Sequence, residues 1–170
     1  MPARLCGMVD WLRFTREAPE LAATVRARFT AEKSHVLATL RRDGSPRVSG
    51  TEVDFSGSEL MIGSMLDAMK ARDLRRDGRC AIHAFPSANG DAKVAGVAIE
   101  LTDPREIEAV QGNADPCHLF RLDLSEAVLT AVEGNALVVT VWRPGESVVR
   151  FERPDNGPAV RVNTGPAANR

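Results

Sequence analysis

Most of the hydroxyl and basic side chains spaced to receive a ligand lie between His35 and Pro86. Arg47, Ser49 and Thr51 occupy alternate positions, Ser64 ends the run that begins at Glu59, and Lys70 follows six residues later. Alternate residues of a strand share a face, so Arg47, Ser49, Thr51, Val53 and Phe55 form a surface that is cationic and hydroxyl-bearing at one end and apolar at the other. That gradient suits a ligand with an anionic end and a flat apolar end; it equally describes a solvated strand face. Ser64-Met65-Leu66-Asp67 places an acid three residues after a serine, the capping-box spacing, and predicts a helix running to about Arg76 and ended by Gly78. A helix N-terminus directly after a strand offers unpaired N–H groups to phosphate. Lys70, nearly two turns in, and Arg47, on the neighbouring strand, would add positive charge. The same spacing also fits a capped helix with a solvated basic face, KARDLRR.

Other reactive residues point to less. His83 suits either a groove or a hydrogen-bonded core position. Cys117-His118 has no further Cys or His at ligand spacing, which argues against a metal. The chain contains no G-x-S-x-G, Walker or G-x-G-x-x-G sequence, so the hydrolase, P-loop and Rossmann readings lack their required parts. No side chain is singled out as catalytic.

At 170 residues the chain is expected to form one domain over residues 1–153, with a flexible Pro-, Gly- and Ala-rich tail over 154–170. Its 22 basic and 23 acidic side chains give a net charge of −1, which disfavours nucleic acid as a partner. Cys6, Cys80 and Cys117 are odd in number and widely spaced, which fits a reducing cytoplasm better than a disulfide framework. No apolar run is long enough to span a bilayer, and MPARLCGMVDWLRF lacks the core of a secretory signal, so a soluble cytoplasmic protein is expected.

The elements that must position these residues follow from periodicity. Leu21, Val25 and Phe29 line one face of a lid helix over 19–29. From His35 the period changes to two, and apolar residues on both faces predict a strand buried on two sides. Asp43-Gly44 is a hairpin turn into a strand that begins at Pro46, and Ser56-Gly57-Ser58 turns again into Glu59 to Gly63. Cys80 to Phe85 forms a further strand, as does Lys93 to Thr102, where Gly96 marks a bulge or close approach. Asp103-Pro104 opens a short helix that Gly112 ends. His118 to Glu133 divides into two strand-like halves around Ser125-Glu126. Ala136 to Trp142 and Ser147 to Glu152 close the meander.

The runs VLATLRRDGSPRVS at 36–49, ELMIGSM at 59–65 and KARDLRRDGRCAIHAF at 70–85 resemble the pyridoxamine 5′-phosphate oxidase-like superfamily of flavin and deazaflavin oxidoreductases. The resemblance implies a mainly β fold with a few helices, a split β-barrel of six to eight antiparallel strands. It further implies FMN, or alternatively the deazaflavin coenzyme (F-420), as cofactor, hydride transfer to or from a small molecule, and a homodimer with the cofactor at the subunit interface. Carried over by position, the cofactor-binding residues are Arg47, Val48, Ser49, Gly50 and Thr51 along the ring, Gly63 and Ser64 at the phosphate, and Met69 and Lys70 in the following helix. Met69 stands where some members have a second basic residue. Trp142 and Arg143 are candidates for contact with the second chain, although Trp142 alone suits a core position equally. The alternative function is a non-enzymatic flavin or tetrapyrrole (haem) carrier, with His83 or His118 as iron ligand.

Overall fold

The computed structural model describes residues 9–88, 90–112 and 115–162. In chain order these form α1 (Trp11–Glu17), α2 (Pro19–Ala31), β1 (His35–Leu40), β2 (Pro46–Thr51), β3 (Val53–Ser56), β4 (Glu59–Ser64), α3 (Met69–Arg76), β5 (Arg79–His83), β6 (Asp91–Glu100), α4 (Pro104–Gln111), β7 (His118–Glu133), β8 (Ala136–Trp142), β9 (Val149–Pro154) and β10 (Val160–Val162). All strand pairs are antiparallel, in the order β10-β9-β8-β7-β6-β5-β1-β2, with β3 on β4 and β4 on the opening residues of β7. The split β-barrel expected from the sequence is present, with ten strands where six to eight were expected. None of the described helices is long and apolar enough to cross a membrane.

Local chemistry sets several of these boundaries. The Asp10 carboxylate accepts from the Arg13 N–H at 2.9 Å and caps α1, which turns Trp11 and Phe14 into the core. Pro19 opens α2, whose buried face is Leu21, Ala22, Val25 and Phe29. Asp103 caps α4, and Gly112 ends it at φ 70°, a left-handed conformation that glycine adopts without strain. Trp142 lies in the core: it is fully buried, its ring sits 4.4 Å from that of Phe14, and its Nε1 donates to Glu17 at 3.1 Å.

Three expectations require correction. β1 is buried on one side only: His35, Leu37 and Thr39 face inward, while Val36 is 38% exposed, because no described helix covers the outer face. β7 is one continuous strand of 16 residues. Its Ser125 sits opposite a register shift at Ala95/Gly96 of β6 and donates to the Ala95 carbonyl, so the polar pair there lies against a bulge and does not break the strand. A Cβ at Gly96 would stand 2.0 Å from the Asp123 carbonyl oxygen, which is why glycine is needed at that bulge. Finally, Ser64 does not cap α3. It belongs to β4, paired with His118, and a turn with Asp67 at φ 61° separates it from a helix that starts at Met69 without a side-chain cap. The strand ladder holds the backbone of Ser64 extended, and the capping geometry is lost.

Beyond residue 153, where a tail was expected, Val160–Val162 pairs with β9 as β10; residues 163–170 lie outside the described residues.

Candidate functional site

A cleft of about 860 Å³ opens where the end of β2, the end of β4 and the start of α3 meet. β2 contributes Gly50 and Thr51, β4 contributes Gly63 and Ser64, and α3 contributes Lys70. Ser34, Glu52, Met65, Leu66, Gln111, Pro116 and Cys117 complete the lining. At Gly50 and Gly63 an added Cβ would meet no atom within 4 Å, so both glycines leave backbone bare toward open space in which a ligand can lie close.

The polar groups are few. The Lys70 ammonium donates to the Gly50 carbonyl at 2.8 Å. Burial holds its pKa below the ordinary lysine value, and the nearby Glu52 charge opposes that shift. Ser64 is buried, with 6% of its surface exposed, and the hydrogen bond from its hydroxyl to the Met65 carbonyl is long at 3.5 Å. Thr51 is also buried, and its hydroxyl reaches the Glu52 carbonyl at 3.2 Å. Two buried hydroxyls with weak local partners beside a half-buried cation form a donor set for one anionic group.

Of the nine residues assigned to the cofactor by sequence, the structure brings five together in this cleft: Gly50, Thr51, Gly63, Ser64 and Lys70. The other four lie elsewhere. Arg47 points beneath α3, its Nε 2.6 Å from Oδ2 of the buried Asp73, which also accepts from Thr39 at 3.0 Å. Burial raises the Asp73 pKa, but hydrogen bonds from Arg47, Thr39 and Arg76 outweigh it and hold the carboxyl below its usual value. Ser49 shares the half-buried face of β2 with Arg47, while Val48 lies on the opposite face, 69% exposed. Met69 is exposed at the first residue of α3.

Glu52, in the break between β2 and β3, lines the cleft as well, although the sequence reading did not mark it. Gln111 and Cys117 arrive from after β6 with no local signal in the sequence. Their side chains meet there, Nε2 to Sγ at 2.7 Å. His118 is hydrogen-bonded through Nδ1 to Glu100 at 2.7 Å, and Glu100 in turn accepts from Arg75 at 2.9 Å. His83 Nδ1 lies 2.6 Å from the Ala84 carbonyl oxygen. Among the described residues there is no cluster of three or more His, Cys, Asp or Glu placed to hold a metal.

The split barrel recurs in solved structures. An FMN-binding protein related to pyridoxamine 5′-phosphate oxidase, from Nostoc punctiforme PCC 73102, is 13% identical over 85% of this chain and 94% of that one, with a TM-score of 0.56. A haem-binding protein from Mycobacterium smegmatis is 15% identical over 81% and 89%, with a TM-score of 0.55. PhzG from Burkholderia lata 383, solved with tetrahydrophenazine-1-carboxylic acid, is 16% identical over 88% and 91%, with a TM-score of 0.54. At such identities the likeness is one of fold. No curated protein matches the chain. The family model of pyridoxamine 5′-phosphate oxidase, however, matches residues 21–128, a span that holds the cleft's strands, its lysine helix and the start of β7. With more than half of its length matched, the chain belongs to the pyridoxamine 5′-phosphate oxidase family.

Proposed function

We propose that the chain is an oxidoreductase that binds a flavin-type cofactor, FMN or a deazaflavin, in the cleft between β2, β4 and α3. The observation that carries this reading is that the buried Ser64, whose hydroxyl makes only a long hydrogen bond, and the Lys70 ammonium on the first turn of α3 line one cleft. Among the described residues no carboxylate lies within ion-pair distance of Lys70, which leaves its charge for a ligand. Gly50 and Gly63 would let a flat ring or its ribityl chain approach the backbone, with Thr51 donating from beside them. A bound flavin or deazaflavin supplies the hydride chemistry. The protein's part is to hold the phosphate, orient the ring and exclude water.

Lys70→Ala should weaken FMN or deazaflavin binding by about 1–3 kcal/mol, the loss expected for a charge-assisted hydrogen bond in a partly buried site. Titration calorimetry giving equal affinity in both proteins would remove Lys70 from the site. The alternative is a tetrapyrrole carrier. It draws on His118, whose Nδ1 is held by Glu100 in the manner of a ligating histidine with Nε2 free for iron. An absorption spectrum of the protein as purified separates the two readings, since a Soret band belongs to haem and a yellow flavin pair of bands does not.

We further propose a homodimer. Val36, Val48 and Phe85, at 38%, 69% and 54% exposure, lie uncovered on β1, β2 and the chain just after β5, and a second copy would bury them. Light scattering at micromolar concentration should give twice the 18.4 kDa of one chain; a monomer there would rule out a site shared between subunits. The free thiols of Cys80 and Cys117 support placement in the cytoplasm.

A further inference from the structure

His35, one of three histidines in the chain, opens β1 with 2% of its surface exposed. Its ring stands edge-on to that of Phe29 on α2, 5.1 Å between centroids, and its Nδ1 accepts the Phe85 N–H at 3.2 Å. An Nδ1 that accepts carries no proton, so the neutral ring holds its hydrogen on Nε2. Nε2 is buried and makes no hydrogen bond among the described residues. The imidazole thus joins α2, β1 and the chain after β5 through a contact that only its neutral form can make.

Protonation opposes that contact in two ways. A proton on Nδ1 sets a donor against the Phe85 N–H, and the ring then carries a buried charge, with no carboxylate within ion-pair distance among the described residues. Burial holds the His35 pKa below the ordinary 6.5, against the opposing pull of the Phe29 carbonyl and the Glu32 charge. With the folded-state value lowered, the closed contact has its full support above 6.5 and loses it as pH falls from there toward the folded value. The charged groups around it are Glu32 after α2, Lys33 bridged to Glu52 at 3.5 Å and, on the side of the sheet that carries Val36, His83 at 4.0 Å from Asp91 with Lys93 opposite. Carboxylates and lysines keep their charge between pH 7.5 and 5.5, which leaves the imidazoles to titrate.

Phe85 is where the contact meets the surface. The Ala84 N–H still bonds to the Ala92 carbonyl at 2.9 Å, but Phe85 lies beyond the end of β5 with 54% of its surface exposed, and its N–H is held from inside by His35. A residue with so little of its own packing opens readily once that bond is lost.

We infer that His35 is an acid-sensitive latch on the dimer face: neutral, it fixes Phe85 in the patch with Val36 and Val48, and protonated, it frees Phe85 so that the two copies part. The inference rests on the homodimer proposed above.

Sedimentation equilibrium of the full chain should show the dimer dissociation constant rising about tenfold or more from pH 7.5 to 5.5, since each closed copy excludes one proton. Over the same range the protection factor of the Phe85 amide in hydrogen exchange should fall several-fold. His35→Asn places an oxygen near the position of Nδ1, where it can accept the Phe85 N–H without titrating. Its dimer constant should change less than about twofold, while His83→Gln keeps the dependence of the wild type. A dimer whose constant ignores pH overturns the inference and leaves the dimer intact, and so does a His35→Asn dimer as pH-sensitive as the wild type. Should His35→Asn fail to fold, the wild type decides alone: a Phe85 protection factor unmoved by pH overturns the latch. A monomer at every pH overturns the homodimer, and this inference with it.

Discussion

Arg47→Ala is expected to cost about 3 kcal/mol of folding stability, although Arg47 lies outside the cleft. The cost comes from what stays behind. Asp73 is 98% buried on α3, from a side-chain exposure of 2%, and Arg47 is its closest cationic partner at 2.6 Å. Removing one member of such a pair leaves a buried charge with too few donors, here only Thr39 and the half-exposed Arg76. The same pair makes stability depend on pH. The folded-state pKa of Asp73 is held below its ordinary value, so its contribution is present above about pH 4, the unfolded value, and is lost as pH falls through the lower folded value. The difference between wild type and Arg47→Ala in urea unfolding should therefore be full at pH 7 and shrink below pH 4. A double change, Arg47→Met with Asp73→Leu, should recover much of the loss, because the pair's value lies largely in its mutual neutralisation. Equal urea midpoints for wild type and Arg47→Ala at pH 7 would show that the pair does not anchor α3. Since α3 carries Lys70, the single change should also weaken cofactor binding, and the double change should restore it.

Trp142→Ala should cost still more, about 3–5 kcal/mol, as is usual for emptying a fully buried aromatic position. The indole fills the space between β8 and α1, stacked on Phe14, and its N–H reaches the carboxylate of Glu17. The same carboxylate oxygen accepts the Gly145 N–H at 3.0 Å, and its partner oxygen accepts from Arg13 at 2.6 Å, which holds the Glu17 pKa below the ordinary range. One glutamate thus ties the end of α1 to the turn after β8. Trp142→Phe keeps a ring against Phe14 but loses the N–H donor and part of the indole's volume, for a smaller cost of about 1–3 kcal/mol. Thermal unfolding of the two variants measures what an aromatic ring at this position contributes; equal losses would mean that its contacts with Phe14 contribute little.

What could be read from the sequence was what is decided locally. Asp43-Gly44 sets its hairpin, with Gly44 at φ 82°; Asp103 and Pro104 set the start of α4, and Gly112 sets its end. Gly96 announced a close approach, though not that the approaching group is the backbone at Asp123. Failures came where a partner distant in sequence decides. Arg47 looked free because nothing near it in sequence reveals an acid 26 residues later. Ser64 looked like a helix cap because only the pairing with His118 makes it a strand residue. The short α1 escaped notice because its apolar face, Trp11 and Phe14, spans a single turn and is completed by Trp142 from the far end of the chain. The cleft was half legible for the same reason. Gly50, Thr51, Gly63, Ser64 and Lys70 belong to one contiguous block of sequence, whereas Gln111 and Cys117 are brought in by the fold.

The pairing of β4 with β7 also bears on the order in which the molecule can assemble. Ser64 and His118 meet across more than fifty residues of intervening chain, and the same strand β7 must pair with β6 and β8 as well. Loops of that length close slowly relative to hairpins, and every local pairing can precede them. On a ribosome, β1 to β5 and α3 emerge long before β7, so a nascent chain carries Lys70 and Ser64 before β4 has the partner strand that fixes Ser64. The ladder that fixes Ser64 therefore forms only in the last stage of folding, after synthesis has passed β7.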